Sequence, residues 1–431
     1  MICDNISINN NGVLTFAGQD VTELAQKYGT PLYLLDEEKI REKCQTYVNA
    51  MRENFGDKYA VLYASKANSF KKIYNIVESE GMCVDVVSIG EIYTALKAGY
   101  PLERAYFHSN NKTDFDVEFA IDNGVGHFVV DNREELEVID RYAAKKGIKQ
   151  KILLRLTPGI DTHTYEAVNT GKVDSKFGTA IETGQAEEIV KYTLGFKNID
   201  LRGFHCHIGS MVFDSDTFLR GAEIMLQFMA KMKKDFAFET KELNLGGGYG
   251  VRYTENDPTI DIAANIAEVA DFIKSKCNKL CLNLPIILME PGRSIVADAG
   301  MTLYTVGTVK RITGYKNYVS VDGGMSDNPR YALYESEYTL FNATKANAEA
   351  TLKCDVVGRC CESGDIIQPD VLLPETERGD ILAVCTTGAY NFSMAMNYNR
   401  IARPPIVMLN KGDSYVAVRR ESLDDIIRND I

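Results

Sequence analysis

Four short stretches of this 431-residue chain carry side chains that could take part in one reaction. In YASKAN, residues 63–68, Lys66 follows the apolar run Ala60-Val61-Leu62-Tyr63-Ala64, where a strand would give way to a loop. A lysine at the mouth of a pocket is partly desolvated, loses its proton more readily, and can form a Schiff base with a carbonyl. The plain alternative is a solvated loop lysine, and it stands unless other strand ends carry matching chemistry. In LGGGYG, residues 245–250, the absence of side chains lets backbone N–H groups approach an anion. The dinucleotide fingerprint is not met, because Val251 stands where the third glycine would fall, and a tight turn explains the run equally well. In HCHIGS, residues 205–210, two histidines two apart share one face of a strand. No neighbouring carboxylate or cysteine pattern completes a metal site, so no metal is expected, and a flat imidazole can instead stack on an aromatic group. In EPGR, residues 290–293, Glu290 lies beside Arg293, and the plain alternative is a rim ion pair of little energetic worth.

The elements that must position these groups follow from residue 59 onward, where short apolar runs alternate with amphipathic helical segments. The runs fall at 60–64, 82–87, 105–108, 127–130, 152–156, 201–207, 243–245 and 286–289. IGEIYTALKAG, NREELEVIDRYAAKKG and DIAANIAEVADFIKSKC between them have apolar residues at helical spacing. Alternation of this kind predicts βαβ units and a parallel sheet. Eight units over roughly 250 residues match a closed (β/α)8 barrel; an open doubly wound sheet is the rival. Strand ends then carry, in order, Lys66, Asp85, His108, Asp131, Arg155, His207, the 246–248 glycines and Glu290. Barrel active sites are built at that edge, with phosphate often held after strands seven and eight.

After Glu290 the pattern changes to β-rich runs separated by turn residues, such as TLYTVGTVKRI, TLKCDVVG and DILAVCTTG. The expected division is a barrel domain over 30–295 and an all-β, Greek-key-like barrel domain formed by 1–29 and 296–431. A composition of 45% hydrophobic and 25% charged residues is that of a folded globular chain with a large core. A net charge of -12 disfavours nucleic acid and anionic membrane as partners. Ten cysteines without a C-x-x-C pair signal neither a zinc framework nor a disulfide scaffold. The N-terminus, MICDNISINNNG, lacks the basic and apolar segments of a leader, and no stretch is apolar enough to span a bilayer. A cytoplasmic location is expected.

A Schiff-base lysine, an anion cradle, a stacking imidazole and a lone carboxylate are together what pyridoxal phosphate needs. The carboxylate would pair with the ring nitrogen and favour its protonated form, so that the ring draws in electrons as a bond to Cα breaks.

The chain resembles the fold-type III pyridoxal phosphate decarboxylases. YASKAN, HCHIGS, LGGGYG, EPGR, DGGMSDNPRYALY, CCESGD and TTGAYNFSMAMNYNR occur in that family's order and spacing, and the likeness runs from about residue 12 to 420. One departure is visible: Met211 stands where the family usually has glutamine. The resemblance implies that Lys66 holds the cofactor covalently and that His207 stacks on its ring. Asp85, Ser210, Gly247, Gly248, Gly292 and the backbone around Arg293 would contribute to the cofactor site, with Glu290 at the ring nitrogen and Tyr390 touching the cofactor. Arg293, Arg330 and Tyr334 would hold the substrate's distal carboxylate, Tyr390 would line the same pocket, and Glu362 would take the distal ammonium. Cys361 would protonate the carbanion after carbon dioxide leaves. The implied reaction converts meso-2,6-diaminopimelate to L-lysine and carbon dioxide. The implied assembly is a homodimer with shared active sites, Cys361 and Glu362 coming from the partner subunit.

Read without the family, Cys361 is an ordinary inert cysteine, and the aromatic segment around Arg330 and Tyr334 is core or interface packing. A racemase of the same plan would want a less electron-withdrawing ring, usually obtained with arginine where Glu290 stands. Decarboxylation of ornithine or arginine would want an acidic distal pocket, whereas Arg293 and Arg330 suit a carboxylate through paired hydrogen bonds. A catalytically dead relative that only binds a protein would be expected to lose Lys66 or the glycines, and both are present.

Overall fold

The computed structural model describes residues 1–160 and 175–431, which fall into two compact units. One comprises Cys44–Gly250 and Thr259–Gly292; the other comprises Met1–Lys43, Val251–Pro258 and Arg293–Ile431.

The first unit is a closed parallel barrel. Its strands are β1 (Tyr59–Ala64), β2 (Cys83–Val86), β3 (Ala105–Phe107), β4 (His127–Val130), β5 (Gln150–Thr157), β6 (Ile199–His205), β7 (Glu242–Asn244) and β8 (Ile286–Met289). Each pairs in parallel with the next, and β8 pairs with β1, Met289 opposite Val61, which closes the ring. Leu62, Tyr106, Val129, Leu153 and Leu288, one each from five strands, form a buried cluster. A filled interior of this kind leaves the strand ends as the place for chemistry.

Helix boundaries follow local capping. The Ser88 side chain accepts the Glu91 N–H and starts Ile89–Lys97, and the Asn132 side chain accepts the Glu135 N–H and starts Arg133–Lys146. Side chains of this type satisfy amide donors that the first helical turn leaves orphaned. Gly147, at φ 66°, ends Arg133–Lys146 in the left-handed conformation that glycine adopts without strain.

In the second unit, nine strands form a branched sheet in which the twelve-residue strand Gly300–Arg311 is the hub. Its first half pairs with Leu32–Asp36 and with Ile381–Cys385, and its second half with Asn317–Val321. The expected β-barrel is realised as this sheet, with Ile366–Pro374 and Asp413–Val418 as the outer strands of its longest path. The N-terminal segment joins it: Leu14, Phe16, Val21 and Leu24 share one core with Leu34, Leu303, Ala383 and Val407.

Leu32–Asp36 shows what the pattern of one segment does not encode. All five of its residues are buried, and it pairs antiparallel with Gly300–Arg311 and parallel with Ile406–Asn410. It is therefore a strand of the second unit, although the expected boundary at residue 30 assigned it to the barrel. An apolar run buried on both faces fits the middle of either sheet, so periodicity does not say which.

Candidate active site

Lys66 sits in the single turn Ser65–Ala67 that directly follows β1. The Asn68 N–H donates to the Ser65 carbonyl at 3.1 Å, and the Tyr63 hydroxyl donates to the Asn68 carbonyl at 2.8 Å, so the turn is pinned from both sides. Ser65 and Ala67 are buried while Lys66 is exposed, which leaves the long side chain as the turn's outward arm. Its ammonium acts electrostatically on Asp85, His207 and Glu91. The amine and the carboxylates at the barrel rim thus share one electrostatic neighbourhood.

Glu290, the residue after β8, is the centre of a buried network. His108 Nε2 lies 2.9 Å from Oε1, His205 Nε2 lies 3.1 Å from Oε2, and Asn244 Nδ2 donates to Oε1 at 2.7 Å. These groups come from the ends of β3, β6 and β7, a convergence that only a closed parallel barrel produces. Burial alone would raise the Glu290 carboxyl, but the two facing imidazoles hold it well below the usual carboxylate range. Burial lowers His205 to about 4, against the pull of Glu290, so this imidazole is neutral at neutral pH. Burial also drives His207 well below its ordinary value, reinforced by the nearby charges of Lys66 and Arg155. A neutral, flat ring at His207 suits stacking.

Asp85, on β2, is 2% exposed; burial raises its carboxyl, and the neighbouring Glu290 adds to the rise while His108, 3.7 Å away, opposes it. Its Oδ1 is buried and accepts no hydrogen bond. A buried acceptor of this kind calls for a donor that the site's resident group would supply.

The glycine run approaches other backbone too closely for side chains. A Cβ on Gly247 would lie 2.1 Å from the Glu290 carbonyl oxygen, and one on Gly248, at φ 114°, would lie 2.4 Å from the Gly209 carbonyl oxygen. The loops after β6 and β7 are joined through Val212, whose N–H donates to the Gly248 carbonyl and whose own carbonyl accepts the Gly250 N–H, each at 2.9 Å. Ser210 lies in the first of these loops, between Gly209 and Met211, both at positive φ. Gly292 is packed against the first turn as well: a Cβ there would meet Ala64 Cβ at 2.8 Å.

Within the second unit, two guanidiniums gather around one ring. Arg293 lies 4.7 Å and Arg330 5.4 Å from the Tyr390 ring centroid, and Arg330 lies 5.0 Å from that of Tyr334. Arg293 is also fixed by a 2.8 Å hydrogen bond to the Tyr253 hydroxyl. Both arginines are buried, and Arg330 Nε makes no hydrogen bond. Aromatic faces stabilise such cations, but two like charges sharing a ring remain a site in want of an anion. Tyr390 itself has φ 63°, an uncommon conformation for a bulky residue and one that recurs at functional sites.

Cys361 and Glu362 are exposed on a turn of the same unit. Asp365 holds that turn, accepting the Cys360 N–H at 2.7 Å and the Met325 N–H at 2.6 Å, while Asn399 accepts the Cys361 N–H at 2.7 Å. The structure therefore brings Lys66, Asp85, His207, Gly247, Gly248 and Glu290 to one barrel edge. It groups Arg293, Arg330, Tyr334 and Tyr390 in the second unit, and sets Cys361 and Glu362 on a separate, solvent-facing turn.

Asn244 was not among the sequence candidates. Its signal was a lone amide at the end of the buried run ELN, directly before the glycines. At the level of sequence His205 is weighed only as half of a metal pair, which is set aside; in the structure its Nε2 lies 3.1 Å from Glu290, and His108, His205 and Glu290 each bring one polar atom within 4.8 Å of the others.

A lysine-bearing turn, a donor-lined carboxylate and a compact glycine loop at one end of an eight-stranded parallel barrel define an enzyme that uses pyridoxal phosphate. Residues 37–297 match the family described as pyridoxal-dependent decarboxylase, pyridoxal binding domain, and the chain belongs to that family. It is 44% identical over 416 residues to the diaminopimelate decarboxylase of Bacillus methanolicus, covering 96% of each chain. It is 42% identical over 423 residues to that of Bacillus subtilis, covering 98% of this chain and 96% of the relative. Among solved structures, it matches M. jannaschii diaminopimelate decarboxylase in co-complex with L-lysine, with a TM-score of 0.91 and 32% identity, covering 100% of this chain and 98% of the other. The Helicobacter pylori diaminopimelate decarboxylase complexed with L-lysine matches with a TM-score of 0.84 and 34% identity, covering 95% and 98%.

The chain is thus a pyridoxal phosphate-dependent carboxy-lyase. Its residues fit the cofactor: the unfilled Asp85 acceptor, the neutral His207 and the side-chain-free loop at Gly247 and Gly248 are what a flat, phosphorylated pyridine requires. When bound, that group supplies a carbonyl for an amine to capture and a ring that accepts the electron pair left by a departing carboxyl group. No helix among the described residues is long and apolar enough to cross a membrane.

Proposed function

We propose that this enzyme removes a carboxyl group from meso-2,6-diaminopimelate, yielding L-lysine and carbon dioxide. Relatives 42–44% identical over nearly the full length carry that activity in their names, and two structural neighbours were solved with L-lysine. Within the chain, the observation that supports this substrate is the pair of buried guanidiniums, Arg293 and Arg330, at the Tyr390 ring. A distal carboxylate neutralises two such charges through paired hydrogen bonds; the purely cationic tail of ornithine would add a third positive charge.

In this reading Lys66 would hold the cofactor through its amine, His207 would stack on the ring, and Gly247, Gly248, Ser210 and Gly292 with the backbone at Arg293 would bind the phosphate. Glu290 would pair with the ring nitrogen and favour its protonated form, which strengthens the electron withdrawal that decarboxylation needs. Asp85, with its unpaired buried Oδ1, would be a further cofactor-binding residue. Arg293, Arg330 and Tyr334 would orient the distal carboxylate, Tyr390 would contact cofactor and substrate, and Glu362 would take the distal ammonium. Cys361 returns the proton to the substrate carbon. Because Cys361 and Glu362 face solvent on their own turn, they serve the site of a second copy, and the working form is a cytoplasmic homodimer.

Carbon dioxide release from diaminopimelate, ornithine, arginine and lysine, measured side by side, tests the substrate. Release from diaminopimelate alone is expected; release from ornithine with none from diaminopimelate would refute the assignment. Borohydride should bleach the yellow protein and leave cofactor mass on Lys66, and the Lys66→Ala variant should take up none.

A further inference from the structure

Two N–H groups, from Asn244 and His205, donate to the Glu290 carboxylate, with His108 Nε2 close by at 2.9 Å, and one of the two donors has no freedom to turn away. Asn244 is fully buried, and its Oδ1 accepts the Gly246 N–H at 2.8 Å. With its oxygen so engaged, the amide must present Nδ2 to Glu290 Oε1, where it lies at 2.7 Å. The Glu290 backbone N–H in turn donates to the Gly246 carbonyl at 2.8 Å, and the Glu290 carbonyl lies where a Cβ on Gly247 would fall. The carboxylate, its own main chain and the start of the glycine loop are thus one hydrogen-bonded unit.

We infer that Asn244 is a positioning residue for the decarboxylation: with His205 it holds the Glu290 carboxylate as a pure acceptor, and it ties that carboxylate to the glycine loop. The inference rests on Glu290 being the partner of the ring nitrogen. A carboxylate that accepts only N–H groups is favoured in its ionised form. His205 must carry its proton on Nε2 to serve, and its Nδ1 is buried without a partner, so the ring is not held from behind and depends on Glu290 for its orientation. The other charged or titratable groups acting on this centre include Asp85, which faces His108, together with Arg155, Cys206 and His207. None of them contributes the fixed, neutral donor that Asn244 supplies. Because the same amide also holds Gly246, a displacement of the loop at the phosphate end moves the acid at the nitrogen end, and the two ends of the cofactor are kept in register by one side chain.

Asn244→Asp tests this in the holoenzyme. It places a second carboxyl 2.7 Å from Glu290 Oε1, and two carboxyls at that distance must share a proton. Glu290 would then cease to be a pure acceptor. The expected result is a shift of about one pH unit or more in the midpoint of the cofactor's visible absorbance titration. A fall in kcat of about a hundredfold with KM changed less than about threefold should accompany it. Asn244→Ala and His205→Gln, which keep a neutral centre, are read the same way in case the aspartate variant does not fold; each should move the midpoint less than Asn244→Asp. A purely structural role would lower the melting temperature and leave the absorbance midpoint in place, and that outcome in the folded variants overturns the inference. Failure of borohydride to fix cofactor on Lys66 in the unaltered enzyme would instead overturn the functional reading beneath it.

Discussion

Burial costs a charged group its hydration, so the protonation states at the barrel edge are set by which partners each side chain finds. His205 is the clearest case, because burial lowers its imidazole to about 4 from an ordinary 6.5. The native chain leaves this ring neutral while the unfolded chain protonates it, so the stability it contributes is present in full above about 6.5 and is lost as pH falls toward 4. The difference of 6.5 minus 4 corresponds to about 3 kcal/mol over that interval. Glu290, held low, adds an acid loss of its own beneath the ordinary carboxylate range. Melting temperatures of the holoenzyme at several pH values between about 7 and 4 should therefore fall steadily, and His205→Gln should flatten the slope. An unchanged slope in that variant would show that the imidazole does not titrate as its burial demands.

At the level of elements, the barrel's loops are shaped by where backbone may approach backbone. Gly247 has the Glu290 carbonyl 2.1 Å from the position of a missing Cβ, and a carbonyl between a strand and its following loop has little room to retreat. Gly247→Ala is expected to cost at least about 2 kcal/mol in denaturant unfolding and to weaken cofactor binding with it. Gly307, in the strand Gly300–Arg311, is the control: the nearest atom to its missing Cβ is the Ser320 carbonyl oxygen at 3.7 Å and its φ is ordinary, so Gly307→Ala should stay within about 0.5 kcal/mol. Equal effects in the two variants would mean that the close approach at Gly247 is not a constraint. The turn carrying Cys361 and Glu362 is built on another principle, since Asp365 and Asn399 satisfy its amides with side chains instead of packing it into a core.

For the molecule as a whole, the question is what the exposed turn serves. If Cys361 and Glu362 complete the site of a second copy, an inactive Lys66→Ala protein and an inactive Cys361→Ala protein carry complementary defects. Mixing them under conditions that allow subunit exchange should restore activity, approaching about a quarter of that of the unaltered enzyme, because half the dimers would be mixed and each would hold one intact site. Activity that stays at the level of the separate variants would place Cys361 in the site of its own chain. A net charge of -12 keeps such an enzyme dispersed and leaves its partner to be chosen by shape and local polar contacts.

The eight barrel strands were legible because parallel strands are short apolar runs joined by amphipathic helices, and the order of Lys66, His207, the glycines and Glu290 along the chain already placed them at successive strand ends. The sequence by itself determined the residue types and therefore the chemistry: an amine, a flat base, a backbone cradle and an acid admit one cofactor. The tertiary structure alone decided which of those groups meet. Leu32–Asp36 joined the second sheet because a doubly buried run pairs wherever an unpaired strand edge awaits it, and His205 turned to Glu290 because the barrel's closure brings the ends of β3, β6, β7 and β8 to one point. Contacts between residues 46 to 182 positions apart, such as Asn244 with Glu290 and His108 with Glu290, follow from strand order and ring closure, and no local spacing records them.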